Sequence, residues 1–89
     1  MTVDKILSAI LEARGWSKAQ LGRSIGVVTP QEAEEKPSKA TDIINKRMKQ
    51  KNISVKLLSE MLKPLGYTIV IVPDGRVRKE GEYEVSVDE

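Results

Sequence analysis

The stretch Trp16-Ser17-Lys18-Ala19-Gln20-Leu21-Gly22-Arg23-Ser24-Ile25-Gly26-Val27 decides how this chain is read. Ser17 and Gln20 have the S-x-x-Q spacing of a capping box, in which each side chain satisfies the other residue's free backbone N–H. A helix therefore begins after Ser17. Leu21 and Ile25 stand four apart on its buried side. Gly26 ends it, because a left-handed C-cap favours a residue without a Cβ. Trp16, just before the cap, is expected to plug the core or staple this helix to the preceding one rather than to stack on a ligand.

Upstream, Val3, Ile6, Leu7, Ile10 and Leu11 recur at helical spacing, with Thr2 to cap that helix and Gly15 to end it. Downstream, Thr29-Pro30-Gln31-Glu32 places a cap, a proline at N1 and a glutamate at N3, which predicts a short helix up to Lys36. Pro37 stops it. Ser38 is expected to cap the next helix, which carries Ala40, Ile43, Ile44, Arg47 and Met48 along one side and closes before Asn52. Ser54 opens a helix whose stripe is Val55, Leu57, Leu58, Met61, Leu62 and Leu65; Pro64 removes a last-turn hydrogen bond and Gly66 ends it. After Gly66 the period falls to two. Residues 67–72 form a β-branched run bounded by Pro73-Asp74-Gly75, and residues 82–88 alternate with Tyr83, Val85 and Val87 on one face. These segments predict a β-hairpin closed by residues 73–81, or two strands that pair elsewhere. The expected fold is mainly α, with four to five helices and a C-terminal β-strand or β-hairpin. Residues 1–66 form the helical domain and 67–89 the closing segment.

Composition sets the class. Eighty-nine residues hold one modest core, and 39% hydrophobic content is too apolar for disorder. The aromatic residues are Trp16, Tyr67 and Tyr83, so the core must be aliphatic. Without cysteine there is no disulfide framework or thiolate chemistry, and without histidine the commonest general base and metal ligand is missing. Gly22 and Gly26 lack the spacing and the Lys-Ser/Thr ending of a phosphate loop, and Glu34 and Glu35 read as solvated. No catalytic site, metal site or cofactor is expected. No signal-peptide pattern is present at the N-terminus, and the longest apolar run, residues 69–72, is too short to span a membrane. The default is a soluble cytoplasmic binding protein.

Net charge is only +2, but it is unevenly placed. Residues 38–52 hold five cations (Lys39, Lys46, Arg47, Lys49 and Lys51) against Asp42, net +4. Residues 29–37 hold Lys36 against Glu32, Glu34 and Glu35, net −2, and residues 73–89 hold three cations against six anions, net −3. A cationic helix interleaved with Thr41, Asn45 and Gln50 has the footprint of a helix lying on DNA, although a solvated face gives a similar charge pattern.

The run from Trp16 to Val27 resembles the first half of the helix-turn-helix in phage repressor-like (Cro/C1, XRE) proteins. That motif has a small residue in mid-helix where two helices cross, here Gly22, and a turn glycine four residues on, here Gly26. The later residues Lys49-Gln50-Lys51-Asn52-Ile53-Ser54-Val55 and Met61-Leu62-Lys63-Pro64-Leu65-Gly66-Tyr67 resemble a phage- and mobile-element-associated branch, in which a closing helix runs into a short strand. The likeness covers roughly residues 5–72. The chain departs from the pattern after Gly26: the family register puts the recognition helix on the acidic residues 29–36, which phosphate would repel. An insertion over residues 28–37 that displaces the recognition helix to 38–50 resolves this. The competing account keeps the register and makes the acidic helix a surface for a basic protein partner.

The resemblance implies sequence-specific binding of double-stranded DNA by a small, repressor-like transcriptional regulator acting as a homodimer. With residues 38–50 as recognition helix, Lys39, Thr41, Asp42, Asn45, Lys46 and Lys49 point outward. Asn45 suits adenine, Lys39 or Lys46 suits guanine, and Asp42 either accepts from cytosine or simply favours the helix dipole. Ser17 and Lys18 stand where the family contacts phosphate, with Lys18 in place of a common glutamine. Lys49 and Lys51 are phosphate contacts or solvated charges. Both faces of residues 67–72 are apolar, so Tyr67, Ile69 and Ile71 are expected at a dimer interface. The alternative function is a protein-interaction module, antitoxin-like or a phage-encoded inhibitor, that uses the acidic residues 29–36 or the acidic tail.

Overall fold

A computed structural model describes residues 1–85 and is mainly helical. Its elements are α1 (Val3–Arg14), α2 (Lys18–Ser24), α3 (Pro30–Glu35), α4 (Lys39–Met48) and α5 (Val55–Leu62), followed by a 3-10 turn at Lys63–Leu65. Four of the five helices start on a side-chain cap. Thr2 accepts from the Lys5 N–H, Ser54 from that of Leu57, and reciprocal capping boxes join Ser17 to Gln20 and Thr29 to Glu32. The exception is α4. Ser38 has helical backbone angles (φ −83°, ψ −11°), so its hydroxyl makes no cap bond, contrary to expectation. The turn through Pro37 already commits Ser38 to the helix, and the Lys39 N–H bonds instead to the Lys36 carbonyl at 3.1 Å.

Helices α1, α2 and α5 are closed by six-residue backbone loops. The N–H groups of Trp16, Val27 and Tyr67 bond to the carbonyls of Leu11, Gly22 and Leu62 at 2.9, 3.1 and 3.2 Å. Each loop passes through a glycine at positive φ, the geometry that a Schellman ending requires. Pro64 converts the last turn after α5 to 3-10 geometry, in keeping with its missing donor.

The core is aliphatic. Ile6, Leu7, Ile10 and Leu11 of α1 meet Leu21 of α2, Ile44 and Met48 of α4, Met61 and Leu62 of α5, and Leu65. Trp16 packs half-buried against this cluster, as a core plug should. Val28 is also buried (6% exposed), so the segment expected as an insertion begins with a residue anchored in the fold. Helix α3 buries nothing. No helix among the described residues is long and apolar enough to cross a membrane.

The closest helix approach is between α2 and α4. A Cβ built on Gly22 would lie 2.8 Å from the Ala40 Cβ and 3.1 Å from a Val27 methyl. Two small residues thus let the middle of α2 ride on the first turn of α4.

The C-terminal segment reverses direction as expected. Turns close at Pro73 to Arg76 and at Lys79 to Glu82 (N···O 3.3 and 3.1 Å), and Tyr83 returns to Tyr67 with ring centroids 6.3 Å apart. Among the described residues, however, no strand ladder joins 67–72 to 82–85; the remainder of the second expected strand, 86–88, lies outside them. Side chains and the N-terminus add to the two turns, and the Met1 ammonium donates to the Glu84 carbonyl at 3.0 Å. Arg76 donates to both Glu82 carboxylate oxygens at 2.7 and 2.8 Å, and the Lys79 N–H donates to Glu82 at 2.7 Å. An isolated two-stranded ribbon is marginal on backbone bonds alone.

Gly22→Ala should destabilise the fold by roughly 1–3 kcal/mol despite the better helix propensity of alanine, because the added methyl overpacks the α2–α4 crossing. Urea unfolding checks this. A midpoint equal to or above that of the wild type would mean that the crossing has slack.

Candidate nucleic-acid interface

Helix α4 presents two faces. Ala40, Ile44 and Met48 are buried at i, i+4 and i+8, which leaves Asp42, Lys46 and Lys49 exposed on the opposite side. Thr41 and Asn45 lie half-buried at the boundary facing α2. There Lys18, the first residue of α2, donates from Nζ to the Asn45 Oδ1 at 2.6 Å. Two residues expected to contact DNA from different helices are therefore joined into one polar surface. Ser17 adjoins it and is exposed, but its Oγ accepts the Gln20 N–H at 3.1 Å and its backbone N–H donates to the Gln20 side chain at 2.7 Å. What Ser17 can still offer an external acceptor is its hydroxyl proton.

Lys51 is exposed in the turn after α4. Among the described residues neither Lys46 nor Lys49 has an ion-pair partner. Lys39 differs. It opens α4 and is half-buried, and its ammonium donates to the Glu32 carboxylate of α3. That bond, with the Thr29 backbone N–H next in importance, holds the Glu32 carboxyl below the usual glutamate range. Lys39 thus belongs to α4 by sequence but to a pair with α3 by contact. Glu32 was expected only as part of the acidic surface 29–36, not as a partner of the DNA-facing residues. It lies seven positions before Lys39 across Pro37, and no helical register spans that break.

The remaining anions of α3 are elsewhere engaged or solvated. Glu35 accepts from Gln31 at 3.1 Å within the helix, and Glu34 is exposed. Asp42 sits in the first turn of α4, where a negative charge suits the helix dipole.

The expected dimer residues divide. Tyr67 is half-buried within the chain, with Arg14 stacked 5.4 Å from its ring centre and Tyr83 on another side. Ile69 and Ile71 are exposed, Ile71 completely, and Val70 and Val72 are exposed beside them.

The surface that results carries ammonium groups without an ion-pair partner among the described residues, a buttressed amide, a hydroxyl and a carboxylate. It can offer charge to phosphate and directional hydrogen bonds to base edges. No family model matches the chain, and no curated protein or solved structure matches it either.

Proposed function

We propose that the chain binds double-stranded DNA sequence-specifically as a small repressor-like regulator, with α2 and α4 as the two halves of a Cro/C1-type helix-turn-helix and α3 inserted between them. The reading rests on one observation: the Lys18–Asn45 bond unites the start of α2 with the outer face of α4. A B-DNA major groove about 12 Å wide admits such a helix. Lys46 and Lys49 supply charge for the phosphates. Lys18 keeps further N–H groups for a phosphate while it orients the amide. Asn45 retains its Nδ2 donors and a second Oδ1 lone pair, enough for a two-bond contact with adenine. Binding of this kind occupies a site and needs no chemistry.

The same reading makes the protein a homodimer through residues 69–72. Ile69, Val70, Ile71 and Val72 are exposed and have no strand partner among the described residues. A β-branched run left unpaired in this way can pair with another chain. A second copy related by a two-fold axis would cover the apolar side chains and satisfy the backbone together. It would also set two α4 helices about one DNA turn apart.

Two measurements test these statements. In duplex titrations, Asn45→Ala should cost about 1–3 kcal/mol on the preferred site and relax preference at one base pair. Lys49→Ala should weaken all duplexes alike and flatten the salt slope by about one unit. If both variants bind as the wild type does, α4 is not the reading element, and the exposed acids of α3 become the better candidate surface. For the dimer, sedimentation at micromolar concentration should give a dimer for the full chain and a monomer for a chain ending at Gly66. A monomeric full chain, or a dimeric truncation, would count against pairing through 69–72.

A further inference from the structure

Helix α4 begins in an unusual way. Ser38 provides no side-chain cap, and the first residue of the helix is a cation, Lys39, at the positive end of the dipole. Asp42 is the first-turn anion of α4, and Glu32 of α3 pairs with the Lys39 ammonium. Glu32 is itself fixed, since it accepts the Thr29 backbone N–H at 3.2 Å and returns the favour through its own backbone N–H to the Thr29 hydroxyl at 3.1 Å. The carboxylate is thus held in place by the capping box and aimed across the Pro37 break at α4. Lys39 is the one α4 cation paired in this way among the described residues.

We propose that Glu32 withholds Lys39 from the duplex, so that α3 sets how tightly the α2–α4 face binds DNA. This rests on the DNA-binding reading above. A phosphate that engaged Lys39 through its remaining N–H groups would meet an ammonium whose charge Glu32 already offsets. Lys39 therefore adds little to counterion release, and the N-terminal half of α4, with Lys39 neutralised and Asp42 negative, approaches DNA with no net positive charge. The charge that draws α4 to DNA lies in its C-terminal half, at Lys46 and Lys49. Glu32 acts as a positioning residue for Lys39 and makes no contact with DNA itself.

The experiment uses fluorescence anisotropy of the full chain on a mixed-sequence duplex at two salt concentrations. Glu32→Gln keeps the capping box, because glutamine fills the same N3 role. It should bind a few-fold tighter and steepen the log–log salt slope by about 0.9, the increment for one more phosphate contact. Glu34→Gln removes the same charge from the same helix without touching Lys39. It should tighten binding less and leave the slope unchanged. Lys39→Met alone should leave the slope as in wild type, and in that background Glu32→Gln should lose its excess over Glu34→Gln. The Lys39→Met result stands even if a Glu32 variant folds poorly.

If Glu32→Gln matches Glu34→Gln, or if Lys39→Met flattens the wild-type slope by a full contact, the inference is overturned while DNA binding stands. If neither the wild type nor any variant binds duplex at either salt concentration, the DNA-binding reading falls and takes the inference with it.

Discussion

The surface of this protein is governed by how closely α2 can approach α4. A Cβ on Gly22 would sit 2.8 Å from that of Ala40, so the two backbones are as near as side chains permit. That closeness brings the N-terminus of α2 within hydrogen-bond reach of the second turn of α4, where Lys18 finds Asn45. It also fixes which side of α4 is buried. With Ala40, Ile44 and Met48 committed to the interior, Asp42, Lys46 and Lys49 have only solvent or a ligand to face. Packing at one glycine thereby determines the chemistry offered several residues away.

Between the two helices the chain inserts α3, a short acidic element that contributes nothing to the core. Its anchorage is Val28 before it and the Glu32–Lys39 pair beside it. An ion pair this accessible to solvent adds little to the stability of a fold. Its larger consequence is electrostatic, since it removes one charge from a helix whose apparent excess in sequence is net +4 over residues 38–52. A charge count along a helix overstates the field a partner meets when a neighbouring element supplies the counter-ion.

Much of the fold was legible because it is written in local signals. The Ser17–Gln20 and Thr29–Glu32 boxes, the glycine endings and the apolar spacing of α1 each act within about one helical turn, and each appears as read. One expectation failed for a reason that local reading does not reach. Ser38 is a good capping residue by type, but the turn at Pro37 delivers it in a helical conformation. Residues 67–72 have the composition of a strand but no ladder partner among the described residues, where Tyr83 meets Tyr67 and the Met1 ammonium donates to the Glu84 carbonyl at 3.0 Å; residues 86–88 of the second expected strand lie outside them. For the candidate surface, helical spacing made the outward placement of Lys46 and Lys49 legible, but not the bond that joins Lys18 to a half-buried Asn45. The pairing of Lys39 with Glu32 was hidden, because it depends on the angle between two helices across a break.

The central claim is that the start of α2 and the outer face of α4 form one DNA-reading surface, and NMR mapping of the amide resonances during titration with a duplex tests it most directly. Shifts should concentrate at Ser17 and Lys18 and at Asp42, Asn45, Lys46 and Lys49, and leave the exposed side of α3 at Glu34 and Glu35 unmoved. Shifts centred on α3 or on residues 69–85, with the α4 face silent, would contradict it.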